Sequence, residues 1–164
     1  MGVDVRIERL SKLEIYHGSV VDVQYPEIRK AKFTKDFSWG FYCTNSYNQA
    51  SRWAKQRGRN MQGRVNVYEY KVDPSLNIKT FPEMSDEWLN FIAECRAGGV
   101  HGYDVVEGPM ADDTIWNYVN DYIAGTISRQ AFWELAKFKH PTHQISFHTL
   151  RALDCLTFIR SDLV

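Results

Sequence analysis

Asp36-Phe37-Ser38-Trp39-Gly40-Phe41-Tyr42-Cys43-Thr44 is the stretch on which the reading of this chain turns. Its second half, Phe41 to Thr44, is apolar and aromatic and reads as a short strand. Upstream, Lys12 to Tyr16 reads as another short strand, ending at His17-Gly18. Between them, residues 20–36 look like a loop with little periodicity, broken at Pro26. Downstream, Asn45 or Ser46 is placed to cap a helix that runs to about Arg57 and stops at Gly58. Ala50, Trp53 and Ala54 share one face of that helix by their i, i+3, i+4 spacing. This order would gather a His-Gly pair, a Tyr and a Trp in one neighbourhood.

The remaining elements follow from pattern. Arg64 to Asp73 alternates as a half-buried strand, with Val65 and Val67, then Tyr68, Tyr70 and Val72. Leu76 to Phe81 reads as a strand. Asp86 to Arg96 is helical, with Trp88, Phe91, Ile92 and Cys95 on one stripe and Gly98-Gly99 as its stop. Tyr103 to Glu107 is a strand bounded by Gly102 and Gly108-Pro109. Ile115, Val119 and Tyr122 mark a helix ending at Gly125. Ser128 caps another, with Phe132, Leu135 and Ala136 expected to face inward and Pro141 as the break. Gln144 to His148 is a strand, Leu150 to Cys155 a helical turn, and Leu156 to Arg160 a final strand. Short strands interleaved irregularly with helices predict the α+β class rather than a doubly wound sheet. No repeat, low-complexity tract or linker divides the chain, so residues 1–164 are expected to form a single domain.

Composition narrows the function classes. At 44% hydrophobic and 14% aromatic residues, the 164-residue chain is too apolar to be disordered. Lys plus Arg and Asp plus Glu balance at 20 each, so a general nucleic-acid footprint is missing. Arg52, Lys55, Arg57, Arg59 and Arg64 cluster in sequence. They read as a solvated helix end and loop, with a local basic groove as the alternative. Cys43, Cys95 and Cys155 make an odd count without a CxxC pair and fit no zinc template, so buried, reduced thiols are expected. Met1 to Leu10 has no apolar signal-peptide core, and no run approaches the length of a membrane span. A cytoplasmic protein without a membrane partner is the expectation. His140, His143 and His148 lie near Gln144, but their spacing lacks a carboxylate or thiolate partner, so no metal site is expected.

The chemistry is read from the gathered residues. Gly18 has no Cβ, so a ligand could approach the backbone there, and its N–H and C=O could pair with a carboxamide. The His17 imidazole beside it could bind a sugar hydroxyl; the plainer alternative is a structural histidine at a strand end. Tyr42 and Trp53 could lie on either side of a cationic aromatic ring, each face contributing about 0.5–2 kcal/mol. The alternative is that both rings belong to the core.

Tyr16-His17-Gly18-Ser19, then Gly40-Phe41-Tyr42-Cys43-Thr44, then Ala50 and Trp53 on a helix, resembles the diphtheria-toxin-like branch of the ADP-ribosyltransferase superfamily. That branch carries Tyr-His-Gly-Thr, then Gly-Phe-Tyr-Ser-Thr, then a helix with a second Tyr; poly(ADP-ribose) polymerases share the order. Across nearly its whole length the chain is also similar to a bacterial family known as domain of unknown function 3990. Asp36-Phe37, Gly40-Phe41-Tyr42, Thr44, Gly108-Pro109, Ala111-Asp112-Asp113, Gln144 and Phe147 match that family's pattern. Thr149 falls one place late, and Ser38 replaces a glycine.

The resemblance implies a split, mostly antiparallel β core around an NAD cleft, with helical insertions between residues 85 and 138. It implies transfer of ADP-ribose from NAD to an acceptor, with nicotinamide released through an oxocarbenium-like transition state. His17 would hold a ribose hydroxyl, on the adenosine or the nicotinamide side, and Gly18 would bind the carboxamide. Tyr42 and Trp53 would sandwich the ring, with Ser19 and Thr44 flanking as further NAD-binding positions. The third catalytic element of the superfamily is usually a Glu at the start of a late strand. Gln144 stands there, or Ser146 if the alignment slides by two; both are neutral. Gln144→Glu would then be expected to keep the geometry and add a helpful charge. Asp112, Asp113 or Glu107 could supply the acid instead, although two acids at a helix start also serve as a cap. The implied partners are NAD, an unknown macromolecular or small-molecule acceptor and, for a bacterial toxin, a small antitoxin protein. NAD hydrolysis, or an NAD-binding module of little activity, are the alternatives.

Overall fold

The computed structural model describes residues 12–30 and 35–164, and of Asp113 the backbone alone. The charged stretch Met1 to Leu10 lies outside the described residues, as do residues 31–34 of the first loop. In chain order the elements are β1 (Lys12–Ser19), β2 (Phe41–Cys43), α1 (Tyr47–Gly58), β3 (Arg64–Lys71), β4 (Ile78–Thr80) and α2 (Asp86–Arg96). They continue with β5 (Val105–Pro109), α3 (Asp113–Ile123), α4 (Arg129–Ala136), β6 (His143–Phe147), α5 (Leu150–Leu153) and β7 (Leu156–Leu163).

The fold is α+β, with two sheets. One is antiparallel in the order β1-β3-β7; the other runs β2-β6-β5-β4 and is antiparallel except for the β4–β5 pair. The sheets face each other over a core of Ile15, Tyr68 and Tyr70 from the first and Phe41, Cys43, Val105, Ile145 and Phe147 from the second. Strand period 2 then turns Tyr42, Val106, Gln144 and Ser146 to the opposite face of the second sheet. There Tyr42 and Val106 join a second core with Trp88, Leu89 and Ile92 of α2, Ile115 and Val119 of α3 and Phe132 of α4. Helix α1 covers the outer face of the first sheet, packing Ala50 against Val65 and Val67.

This layering explains the change of phase along β3. Val65 and Val67 point at α1, whereas Tyr68 and Tyr70 point between the sheets, so both faces of that strand are buried over part of its length. Two helix starts are capped where the sequence places a cap, the Ser46 and Ser128 hydroxyls accepting from the N–H groups of Gln49 and Ala131, and Ser85 caps α2 in the same way through the Trp88 N–H. Leu135, expected inward, is instead 44% exposed. A helix as short as α4 turns a narrow stripe to the core, and Phe132 and Ala136 occupy it. Cys43 and Cys95 are buried, and Cys155 is partly exposed; all three are thiols rather than disulfides. Among the described residues, no helix is long and apolar enough to cross a membrane.

Among the described residues, one isolated backbone bridge links the two sheets. Tyr16 of β1 and Thr44, just past β2, exchange N–H···O bonds of 2.9 Å in each direction. Beyond this bridge the strands part, and β1 continues to Ser19 along β3 rather than stopping near Tyr16. The gap so formed is the mouth of the candidate site.

Candidate functional site

A cleft of about 300 Å³ opens where the sheets part. Among its lining residues are His17 from β1, Tyr42 from β2, Trp53 and Arg57 from α1, Arg96 from α2 and Gln144 from β6. Lys35 and Asp36, immediately before the 37–40 turn, complete the near wall.

His17 sits at the parting. Its Nδ1 lies 2.6 Å from the Tyr42 carbonyl, and its ring stacks on Phe41 at 4.3 Å. A carbonyl only accepts, so Nδ1 carries the proton. Burial pushes the His17 pKa down to about 4, opposed by the Tyr42 bond and assisted by Arg57 and Lys35. The ring is therefore neutral at pH 7, and Nε2 is a bare acceptor suited to a hydroxyl.

Gly18 comes next. Tyr16 directs its N–H and C=O toward Thr44, so two residues on Gly18 directs its own toward the same side, past the end of the bridge. The carbonyl accepts from Arg57 Nη1 at 3.1 Å. The missing Cβ answers a different need from the expected one. A Cβ there would stand 2.3 Å from the Ala50 carbonyl oxygen, so it is the close approach of α1 that requires glycine. The helix permits that approach with small residues, Ala50 and Ala54, both fully buried.

Tyr42 is both core and cleft. Its hydroxyl donates to the Ser38 carbonyl at 2.6 Å and accepts from the Phe37 N–H at 3.1 Å. Burial, and then the Asp36 charge, push its pKa well above the usual phenol value, so it stays protonated. The ammonium of Lys35 lies over its ring, 4.7 Å from the centroid. Trp53 is partly exposed on the α1 face of the cleft, with Gln56 and Arg57 beside it at i+3 and i+4.

Asp36 is the hub that sequence reasoning left without a role. Its Oδ1 accepts from Arg96 Nε at 3.1 Å and Nη2 at 2.5 Å; its Oδ2 accepts from the Ala111 N–H at 2.8 Å and from Gln144 Nε2 at 3.1 Å. A buried carboxylate needs this much compensation. A carboxylate accepts only, so Asp36 fixes the Gln144 amide with its nitrogen toward the acid and leaves Oε1 as the acceptor. A Glu at this position would set two carboxylates against each other, which overturns the expectation that Gln144→Glu preserves the geometry.

The turn between Asp36 and Gly40 is held by side chains. The Phe37, Ser38 and Trp39 carbonyls lie 2.8, 2.6 and 2.7 Å from His101 Nε2, Tyr42 Oη and His148 Nδ1. Ser38, in the place of a family glycine, takes φ of +75°. The Gly98–Gly102 segment thus serves through His101 as a brace for this turn.

The other expected site residues fall outside the cleft wall. Ser19 borders an adjoining cavity of about 290 Å³. Thr44 is fully buried and ties the sheets together. Asp112 is the N-cap residue of α3, and its Oδ2 accepts from Thr142 Oγ1 at 3.1 Å. The backbone of Asp113 follows it in α3. Glu107 pairs with His143 at 2.8 Å, and Ser146 is fully buried beside His148 at 2.7 Å. Of the basic cluster, Arg57 turns into the cleft, Arg64 pairs with Asp22 and Arg52 bonds Gln49.

The architecture defines an α+β protein whose two sheets share one bridge and enclose a cleft where they part. The chain belongs to the family described as "Protein of unknown function (DUF3990)", whose model matches residues 13–158. That span contains every cleft residue named above. No curated protein matches the chain.

Proposed function

We propose that the cleft binds NAD by its nicotinamide end and that the protein is an ADP-ribosyltransferase, releasing nicotinamide as it transfers ADP-ribose to an acceptor. The observation that carries this reading is the parting of β1 from β2 at His17. It sets a neutral imidazole, the Tyr42 ring and Trp53 around one cleft, with Gln144 on the same cleft wall and Gly18 next to His17 in the chain. The Gly18 N–H and C=O would pair with the ligand's carboxamide, the C=O exchanging its Arg57 donor for it. His17 Nε2 accepts from a ribose hydroxyl, and Gln144 Oε1, fixed by Asp36, accepts from another.

The chemistry to be served is rupture of a C1′–N bond. The electron pair leaves with the ring nitrogen, giving neutral nicotinamide, while an acceptor's lone pair bonds C1′ and the acceptor's proton passes to solvent. The residues here orient the sugar and place oxygen dipoles toward the carbon that becomes positive. Gln144 supplies a dipole rather than a charge, which favours slow turnover. It also favours a second reading, an NAD-binding module with little activity. A cytoplasmic toxin silenced by a small antitoxin partner is the biological role that suits the first reading.

The test is direct. NAD at a hundredfold excess over its Kd should stabilise the protein by about 2.7 kcal/mol. Trp53→Ala should lose most of this shift while folding normally, since Trp53 is not in the core. Released nicotinamide, measured chromatographically, separates transferase from binder, and mass spectrometry of treated lysate separates transfer from hydrolysis. Unchanged melting at millimolar NAD, with no nicotinamide released, would overturn the assignment.

A further inference from the structure

Two cations occupy the positions that the proposed ring would need. Lys35 lies on the face of Tyr42, and Arg57 donates to the Gly18 carbonyl. Both side chains also border the adjoining cavity, which carries Tyr25, Trp39 and the paired Glu27 and Arg29, so they stand at the neck between two chambers of similar size. Neither belongs to an ion pair among the described residues: Arg57 has a neutral carbonyl as its partner, and Lys35 an aromatic face. Their mutual repulsion is felt. Burial first, and then Arg57, depress the Lys35 pKa to about 8 against the opposing charge of Asp36, while burial lowers that of Arg57. Both cations are solvent-exposed, and the acids that line the two chambers, Asp36 and Glu27, are already engaged by Arg96 and Arg29, so the pair makes a seat for a dianion.

We infer that Lys35 and Arg57 hold the ring site closed in the free protein and open it by taking hold of a ligand's diphosphate. The inference rests on the NAD reading for the identity of the ring, but the diphosphate seat stands apart from it. An anion at the neck draws both side chains toward it, clearing the Tyr42 face and freeing the Gly18 carbonyl together. Nicotinamide alone, which has no anion to offer, must displace both cations without compensation. The site thereby selects the intact dinucleotide over its free ring. Linkage makes the effect reciprocal: if the anion favours the ring, the ring favours the anion to the same degree.

The experiment uses inorganic pyrophosphate and nicotinamide as separate probes, each titrated calorimetrically into wild type, Lys35→Ala, Arg57→Ala, the double variant and Lys55→Ala. Lys55 is exposed on the same helix and is the control. Pyrophosphate should bind wild type and Lys55→Ala alike and weaken at least tenfold in each of the other single variants. Saturating pyrophosphate should tighten nicotinamide at least fivefold in wild type, and the double variant should bind nicotinamide equally tightly with or without it. Pyrophosphate affinity unaltered by both single variants would overturn the seat. Nicotinamide affinity indifferent to pyrophosphate, and unchanged in the double variant, would overturn the gating. Failure of the NAD reading looks different: pyrophosphate binds as described while NAD is neither bound nor cleaved.

Discussion

Gln144→Glu tests the Asp36 hub most sharply. The Gln144 nitrogen lies 3.1 Å from Asp36 Oδ2, so a carboxylate oxygen in its place would face a second carboxylate at that separation. Two unit charges 3.1 Å apart repel by about 5 kcal/mol at an effective dielectric constant of 20. Protonating the introduced carboxyl at pH 7, from an ordinary value near 4.3, costs about 4 kcal/mol. Protonation is the smaller cost, so the variant should fold with one proton shared between positions 36 and 144. The introduced carboxyl would then have a folded pKa raised above its unfolded value. Its penalty is largest at neutral pH and shrinks as pH falls toward 4.3, by about 1.4 kcal/mol per pH unit. Urea denaturation of variant and wild type at pH 7.5 and pH 5.5 reads the difference. A deficit of about 4.4 kcal/mol at the higher pH, reduced by about 2.7 kcal/mol at the lower, is expected. The neutralised carboxyl would also add no charge to the cleft, so NAD turnover should not rise. Wild-type stability at pH 7.5, or a deficit that ignores pH, would show that Asp36 does not face this side chain.

Three further outcomes follow from the same geometry. Ser38 holds φ of +75°, so Ser38→Gly should stabilise the fold by about 1 kcal/mol, measured as a rise in Tm. His17 and His148 are depressed from 6.5 to about 4, and His101 is lowered, with burial as the leading cause for all three. The unfolded chain therefore binds more protons between those values. Stability is fully present above pH 6.5 and is lost as pH falls toward 4, which a denaturation series across that window should trace. Asp36→Ala removes the buried carboxylate that accepts from Arg96, the Ala111 N–H and Gln144, and should cost about 3–5 kcal/mol in chemical denaturation, whereas exposed Arg29→Ala, which breaks a surface pair with Glu27, should cost under about 1 kcal/mol.

Much of this fold is legible because its signals are local. The Ser46 and Ser128 caps, the stripe of α2 and the strand at Phe41 each depend on residues a few positions apart. The grouping of His17, Tyr42 and Trp53 around one cleft was legible for the same reason, since a strand, a strand and a helix close in sequence supply them. Asp36 was not legible, because its partners stand 60, 75 and 108 positions away and only the tertiary fold unites them. Arg57 reads as a solvated charge and is solvent-exposed; that it also borders the cleft depends on where α1 packs, which a charge pattern does not encode. The packing role of Gly18 depends on how closely α1 approaches β1, which sequence spacing does not encode.

The braced turn at residues 37–39 also bears on the order in which the molecule assembles. Its carbonyls are held from Tyr42, His101 and His148, the latter two separated from it by 64 and 109 positions. Hydrogen bonds made within residues 35–44 cannot replace the two histidine braces, and the left-handed residue at the centre of the turn opposes the conformation. The turn, and with it the cleft wall, must therefore close late, after β6 has docked and the largest loop has paid its entropy. Substitutions at His101 and His148 should carry φ-values near zero, accelerating unfolding while leaving the folding rate almost untouched. The cleft would then be the last part of the molecule to form and the first to open.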